Sequence, residues 1–202
     1  MISLISGGAK NGKSTFAEEV TIQRPGKRYY IATMVSTDEE DDERIRRHRE
    51  NRKDKGFETI ECPKSIGEIE ADFSGTFILD SLTSLVQNHM FTEVAKGEFL
   101  CLSTPAVELA VSTELAVLID KIKNANGSLV IVSDYIFGDV LPDDIGSVNF
   151  MEALAFAIRF VGEAADEIIE VAGGIPIYHK PIEKKKGAKM KEPDLQKRNI
   201  HI

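Results

Sequence analysis

Short apolar runs alternate along this chain with longer stretches in which apolar residues recur at helical spacing, the pattern of an α/β domain built on a mostly parallel sheet. Ile2 to Ser6 reads as a first strand, followed by a glycine-rich turn and a helix from about Ser14 to Gln23. Tyr29 to Thr33 reads as a second strand, Phe57 to Glu61 as a short one, and Thr76 to Leu79 as an apolar strand ending in Asp80. Between them, Asp38 to Lys53 is dominated by charge, carboxylates first and arginines later. That order complements a helix dipole and predicts one exposed helix. Ser81 to Lys96 and Pro105 to Asn124 are expected to be helices, with Gly97 to Thr104 a loop or insertion between them. Ser128 to Ser133, SLVIVS, is the plainest buried strand, and Gly146 to Ala165 predicts a further helix. Glu167 to Ala172 and Ile175 to His179, joined by Gly173-Gly174, predict a C-terminal β-hairpin. Beyond Pro181 the chain is basic and polar with no apolar period. Residues 1–181 are thus expected to form one α/β domain of three layers, and 182–202 a flexible tail.

Composition narrows the classes. A chain of 202 residues with 42% hydrophobic and 29% charged positions can bury its own core. The formal net charge of −8 argues against a nucleic-acid groove. Cys62 and Cys101 are too few for a disulfide framework and sit in no zinc-like cluster, so a reducing, cytoplasmic setting is expected. The first residues show no basic region before a long apolar stretch, and no uncharged apolar run approaches the roughly 20 residues of a membrane span.

Gly7-Gly8-Ala9-Lys10-Asn11-Gly12-Lys13-Ser14 matches GxxxxGK[ST] in full, after an apolar strand and at the start of a helix. Glycines let successive N–H groups turn inward onto phosphate oxygens, and the helix N-terminus adds partial positive charge. Lys13 is expected on the β- and γ-phosphates and the Ser14 hydroxyl on Mg²⁺. Asp80 ends a strand where such a fold delivers a carboxylate to the metal, and the same position suits a helix N-cap; the two roles are compatible. No guanine-reading NKxD motif is present, so the base that is read stays open.

Arg44, His48 and Arg52 are spaced i, i+4, i+8 and fall along one helix face. Cations there can hold phosphates, and they favour a neutral imidazole able to attack phosphorus. A solvated arginine face carrying a surface histidine has the same spacing, and the residues alone leave both readings open.

The chain resembles the bifunctional adenosylcobinamide kinase/adenosylcobinamide-phosphate guanylyltransferase family of cobalamin biosynthesis. The resemblance rests on SLISGGAKNGKSTFAEE, on YIAT at Tyr30 to Thr33, and on the block Asp38 to Arg52 with Arg44, Ile45 and His48. Thr59, Glu61, Leu79 to Thr83, Asn88, Ala165-Asp166-Glu167 and Gly174-Ile175-Pro176 follow in order. It implies phosphorylation of adenosylcobinamide, then transfer of GMP from GTP through a guanylylated histidine, which it maps onto His48. It also implies nucleotide contacts from the P-loop, from Ala32, Thr33 and Met34, from Arg49, Glu50, Asn51 and Arg52, and from Glu61 and Asp80. ATP and GTP are the implied substrates, Mg²⁺ the implied ion, a corrinoid the implied acceptor, and a homotrimer the implied assembly.

The second half departs from that pattern. The family usually carries Asn-Glu after the SLVIVS strand, where this chain has Asp134-Tyr135, with only Gly138 and Pro142 kept from the loop that follows. Its later arginine, Phe-Arg-Asp and Asn-Gln are Val148, Phe150-Met151-Glu152 and Ile158-Arg159 here. These changes fit drift at packing positions, or a divergent paralogue that binds nucleotide without catalysis or phosphorylates another small molecule.

Overall fold

The computed structural model describes residues 1–36, 39–95, 98–138 and 142–180; the expected tail 182–202 lies outside them, as do the side chains of 40, 41, 44, 48, 51 and 92–100. Seven strands form one sheet: β1 (Ile2–Gly7), β2 (Arg28–Ala32), β3 (Phe57–Glu61), β4 (Thr76–Asp80), β7 (Ser128–Asp134), β8 (Glu167–Ala172) and β9 (Ile175–Lys180). Their order is β3-β2-β4-β7-β1-β8-β9. Every neighbouring pair is parallel except β8 and β9, which form the expected antiparallel hairpin. A parallel sheet needs cover on both faces, which is why its strands read as unbroken apolar runs. Helix α1 (Lys13–Ile22) lies over the face carrying Ile5, Tyr30, Ile78 and Val132. Helices α3 (Leu82–Met90), α4 (Thr104–Asn124) and α5 (Ile145–Ala164) cover the other, with Leu4, Ile31, Leu79 and Ile131 in the larger core. Among the described residues α5 alone is long and apolar enough to cross a membrane by length and composition; its Ala153, Leu154, Ala157 and Val161 are buried in the core.

One expected element is corrected. The helix predicted from Ser81 to Lys96 stops at Met90, and β5 (Phe91–Ala95) follows it directly. It pairs antiparallel with β6 (Glu98–Cys101), inside the segment expected to be a loop. The Leu102 N–H donates to the Met90 carbonyl at 2.9 Å and closes this small ribbon. Thr92 and Val94 are β-branched, and with a partner strand available they favour extended backbone over a continued helix.

Two polar clusters tie layers together. Glu167 at the start of β8 accepts from Arg24 Nη2 at 2.7 Å and from Ser3 Oγ at 2.5 Å, all three buried. Asp166 beside it accepts the Ile2 N–H at 2.7 Å, so the Ala165-Asp166-Glu167 motif anchors β1 rather than the site. Between α3 and α4, Glu114 accepts the Ile66 N–H at 3.1 Å, and its Oε1 lies 3.0 Å from His89 Nε2.

Candidate active site

Strand β1 ends at the sheet's carboxyl edge between β7 and β8, and the phosphate-binding loop is built there. The Gly7 carbonyl accepts the Tyr135 N–H at 2.9 Å, and a Cβ on Gly7 would lie 2.4 Å from the Val171 carbonyl oxygen, so only glycine fits. Lys10 and Gly12 adopt φ of 58° and 84° and turn the exposed Ala9-Lys10 segment back to the helix. Gly12 caps α1 without a side chain, which leaves the first-turn N–H groups of α1 free of a capping oxygen. The Asn11 carbonyl accepts the Gly174 N–H at 3.2 Å, so the β8–β9 turn walls the loop from outside. Ser14 sits half-buried on the first turn. Lys13 is buried, its Nζ 3.0 Å from the Gly8 carbonyl and 2.6 Å from Asp134 Oδ1.

A cleft with about 450 Å³ of empty space opens beside the carboxyl ends of β2, β3 and β4. Register brings its floor together, because Ala32 is the cross-strand partner of both Glu61 and Asp80. Met34, Ser81 and Ser84 line it as well. Thr33 is fully buried; its Oγ1 donates to the Ser81 carbonyl at 2.8 Å and accepts the Ser81 N–H at 2.7 Å. Its carbonyl accepts from Asn88 Nδ2 at 2.7 Å. Ser81, rather than Asp80, caps α3 by accepting the Ser84 N–H at 3.2 Å, so the Asp80 carboxylate is left to the cleft. There it accepts the Tyr30 O–H. Burial pushes the Tyr30 phenol well above its ordinary range, and the Asp80 charge pushes it further, so it stays a donor.

The charged segment is a helix as expected, α2 (Glu39–Arg52). The side chains of Arg44, His48 and Asn51 lie outside the described residues. Ile45 and Arg52 both line the cleft. His48 is three residues after one and four before the other, on the same stripe of the helix. Arg52 is 5% exposed, its guanidinium lies 3.6 Å from the Tyr30 ring centre, and its Nε has no hydrogen-bond partner among the described residues. Arg49 pairs with Glu61 at 2.8 Å and Glu50 with Arg46 at 3.4 Å, both exposed pairs that cost little to break. The carboxyl edge therefore gathers the P-loop, Ala32 to Met34, Arg49, Arg52, Glu61 and Asp80, while Glu50 stays with a surface arginine.

Residues 3–178 match the family described as cobinamide kinase / cobinamide phosphate guanyltransferase. The chain belongs to this family. It is 27% identical over 180 residues to the bifunctional adenosylcobalamin biosynthesis protein CobU of Salmonella typhimurium, covering 88% of this chain and 98% of that one. The corresponding Escherichia coli protein shows the same identity and coverage. A solved KaiC-like protein, PH0186 from Pyrococcus horikoshii OT3, aligns with 84% of this chain and 71% of its own at 10% identity and a TM-score of 0.44. The cobinamide kinase / guanyltransferase family is one of enzymes, and the chain is an enzyme of that class with a P-loop sequence between β1 and α1.

The departures from the cobinamide kinase pattern divide by place. Asp134 and Tyr135 stand at the P-loop itself, Tyr135 half-exposed and packed edge-on against Phe137 with ring centres 5.6 Å apart. Val148, Phe150, Met151, Glu152, Ile158 and Arg159 all lie on α5. Sequence reasoning missed Tyr30, Ile45, Ser81 and Ser84 as lining residues, and the Lys13–Asp134 pair. A buried tyrosine needs a partner for its hydroxyl, which was the available signal for the first. The pairing of Lys13 with Asp134 depends on β7 lying beside β1, which no local pattern records.

Proposed function

We propose that this chain phosphorylates adenosylcobinamide with a nucleoside triphosphate and then transfers GMP from GTP to the product through GMP held on His48. The observation that carries the reading is Arg52: a buried cation with an unpartnered N–H, on the wall of a cleft, four residues after His48 on the same helix. A buried guanidinium with spare donors calls for an anion, and a nucleotide phosphate supplies one. Gly7 to Ser14 would cradle the triphosphate, with Ala32, Thr33, Met34, Arg49, Glu50, Asn51, Arg52, Glu61 and Asp80 around the nucleotide. Oxygen donors suit Mg²⁺, and Tyr30 engages only one oxygen of Asp80, so Asp80 with the Ser14 hydroxyl fits that ion. Bound there, it would offset negative charge on the phosphates.

Lys13 would stabilise charge on the transferred phosphoryl group. In the second reaction a His48 ring nitrogen attacks the α-phosphorus, the bond to the α–β bridging oxygen breaks, and pyrophosphate leaves. The acceptor's phosphate oxygen then attacks the same phosphorus and the P–N bond breaks, freeing the imidazole. A cytoplasmic homotrimer acting on a corrinoid completes the proposal. Incubation with GTP and Mg²⁺ should add one GMP mass to the intact chain, stable in base and removed by acid. His48→Ala should lose the adduct and keep nucleotide binding. An adduct that persists in His48→Ala, or none in the base-quenched wild type, sinks the transferase half.

A further inference from the structure

The carboxylate of Asp134 stands where the P-loop does its chemistry, and the reading above gives it no task. It ends β7, the strand hydrogen-bonded to β1, with Gly7 as its register partner. Its N–H donates to Thr83 Oγ1 at 2.9 Å, and the next N–H, of Tyr135, donates to the Gly7 carbonyl at 2.9 Å, so its backbone is fixed on both sides. Its Oδ1 lies 2.6 Å from Lys13 Nζ, and the side chain keeps 23% exposure.

A P-loop lysine serves the β- and γ-phosphates. When a triphosphate takes the ammonium, the Asp134 backbone cannot follow or withdraw, and its carboxylate is left on the far side of one ammonium group from the γ-phosphate. The ammonium between these two anions offsets only part of their repulsion, and the carboxylate keeps acceptor sites beyond the one the ammonium engages. An attacking alcohol brings a proton to that place. Asp134 ends the strand beside β1, whereas Asp80 ends β4, one strand further out, and already accepts the Tyr30 O–H.

We infer that Asp134 is the general base of the phosphoryl-transfer step, accepting the proton of the alcohol that attacks the γ-phosphorus. The alcohol oxygen forms its bond to phosphorus as the bond to the β–γ bridging oxygen breaks. The electron pair leaves on the nucleoside diphosphate, and the hydroxyl proton passes to an Asp134 oxygen and from its exposed edge to water. The inference rests on the kinase half of the proposed function. The guanylyl half uses no alcohol and does not need this residue.

The test compares wild type, Asp134→Asn and Asp134→Glu in three measurements: calorimetric binding of a non-hydrolysable ATP analogue, single-turnover phosphoryl transfer to adenosylcobinamide, and slow ATP hydrolysis with water as the only acceptor. Asp134→Asn should bind the analogue as well as wild type or better, because a competing anion is gone. Transfer and hydrolysis should both fall about 10²-fold, with part regained in Asp134→Glu. Unchanged transfer in Asp134→Asn would make the residue a resting counterion and overturn the inference. Loss of analogue binding, or full recovery on raising Mg²⁺, would overturn it as well, in favour of loop support or a cation ligand. Failure of the wild type to phosphorylate adenosylcobinamide refutes the proposed acceptor instead, and the hydrolysis measurement still decides the role of Asp134.

Discussion

Lys13 holds two acceptors that a triphosphate would replace, the Gly8 carbonyl and the Asp134 carboxylate. Lys13→Ala should therefore leave the fold intact, weaken triphosphate binding, and lower phosphoryl transfer by at least about 10²-fold, the range for losing one preorganised donor in a shielded site. Calorimetry with ATP and GTP checks the first effect, and an unchanged affinity would contradict the placement of the phosphates. Gly7, Gly12 and Lys13 are legible in the sequence because each is demanded by type: a close carbonyl, a positive φ, a buried ammonium. Arg52 is legible only as one arginine among several. What distinguishes it is burial against Tyr30, and burial comes from how α2 packs.

The contact between α3 and α4 carries a titratable group whose sense is fixed by its surroundings. Burial raises the Glu114 carboxyl, but the neighbouring His89 and the Ser65 and Ile66 N–H groups outweigh it and leave the group below its ordinary value. A carboxylate depressed in the folded state adds stability that is present above the unfolded value, about 4.3, and is lost as pH falls through the folded one. Urea midpoints of wild type and Glu114→Gln should thus differ most near neutral pH and converge below about pH 4. A gap that stays constant from pH 7 to pH 3 would remove the carboxylate from this account. At this scale an element is legible in the sequence wherever it is apolar on its own terms, as in SLVIVS. Phe91 to Ala95 continue an apolar helix pattern without glycine or proline to stop it, yet form a strand. The strand exists because Glu98–Cys101 offers it a partner, and pairing is not a local property.

For the whole molecule, the buried Arg24–Glu167 pair with Ser3 links α1's end to β1 and β8. Glu167→Gln should cost about 3–5 kcal/mol by leaving a buried guanidinium without its counter-charge. The double change Arg24→Met with Glu167→Leu should recover part of that loss in urea unfolding, since desolvating both charges offsets much of their attraction, while the buried Ser3 hydroxyl is left without its partners. A double variant as unstable as the single would assign the residues a packing role only. Layering and parallel order were foreseeable from alternating short strands and helices. The site's division between a loop on β1 and a cleft on β2 to β4 was not, because the insertion of β7 between β4 and β1 decides it.

That insertion also sets an order in time. β1 leaves the ribosome well before its two neighbours, β7 and β8, with Ile2 opposite Leu129 and Ser3 opposite Glu167. Until those residues are made, the loop that follows β1 has no sheet edge to stand on and no β8–β9 turn beside it. Contacts so distant along the chain form late and slowly. Nucleotide binding at the loop therefore awaits strands made long after the residues that bind phosphate.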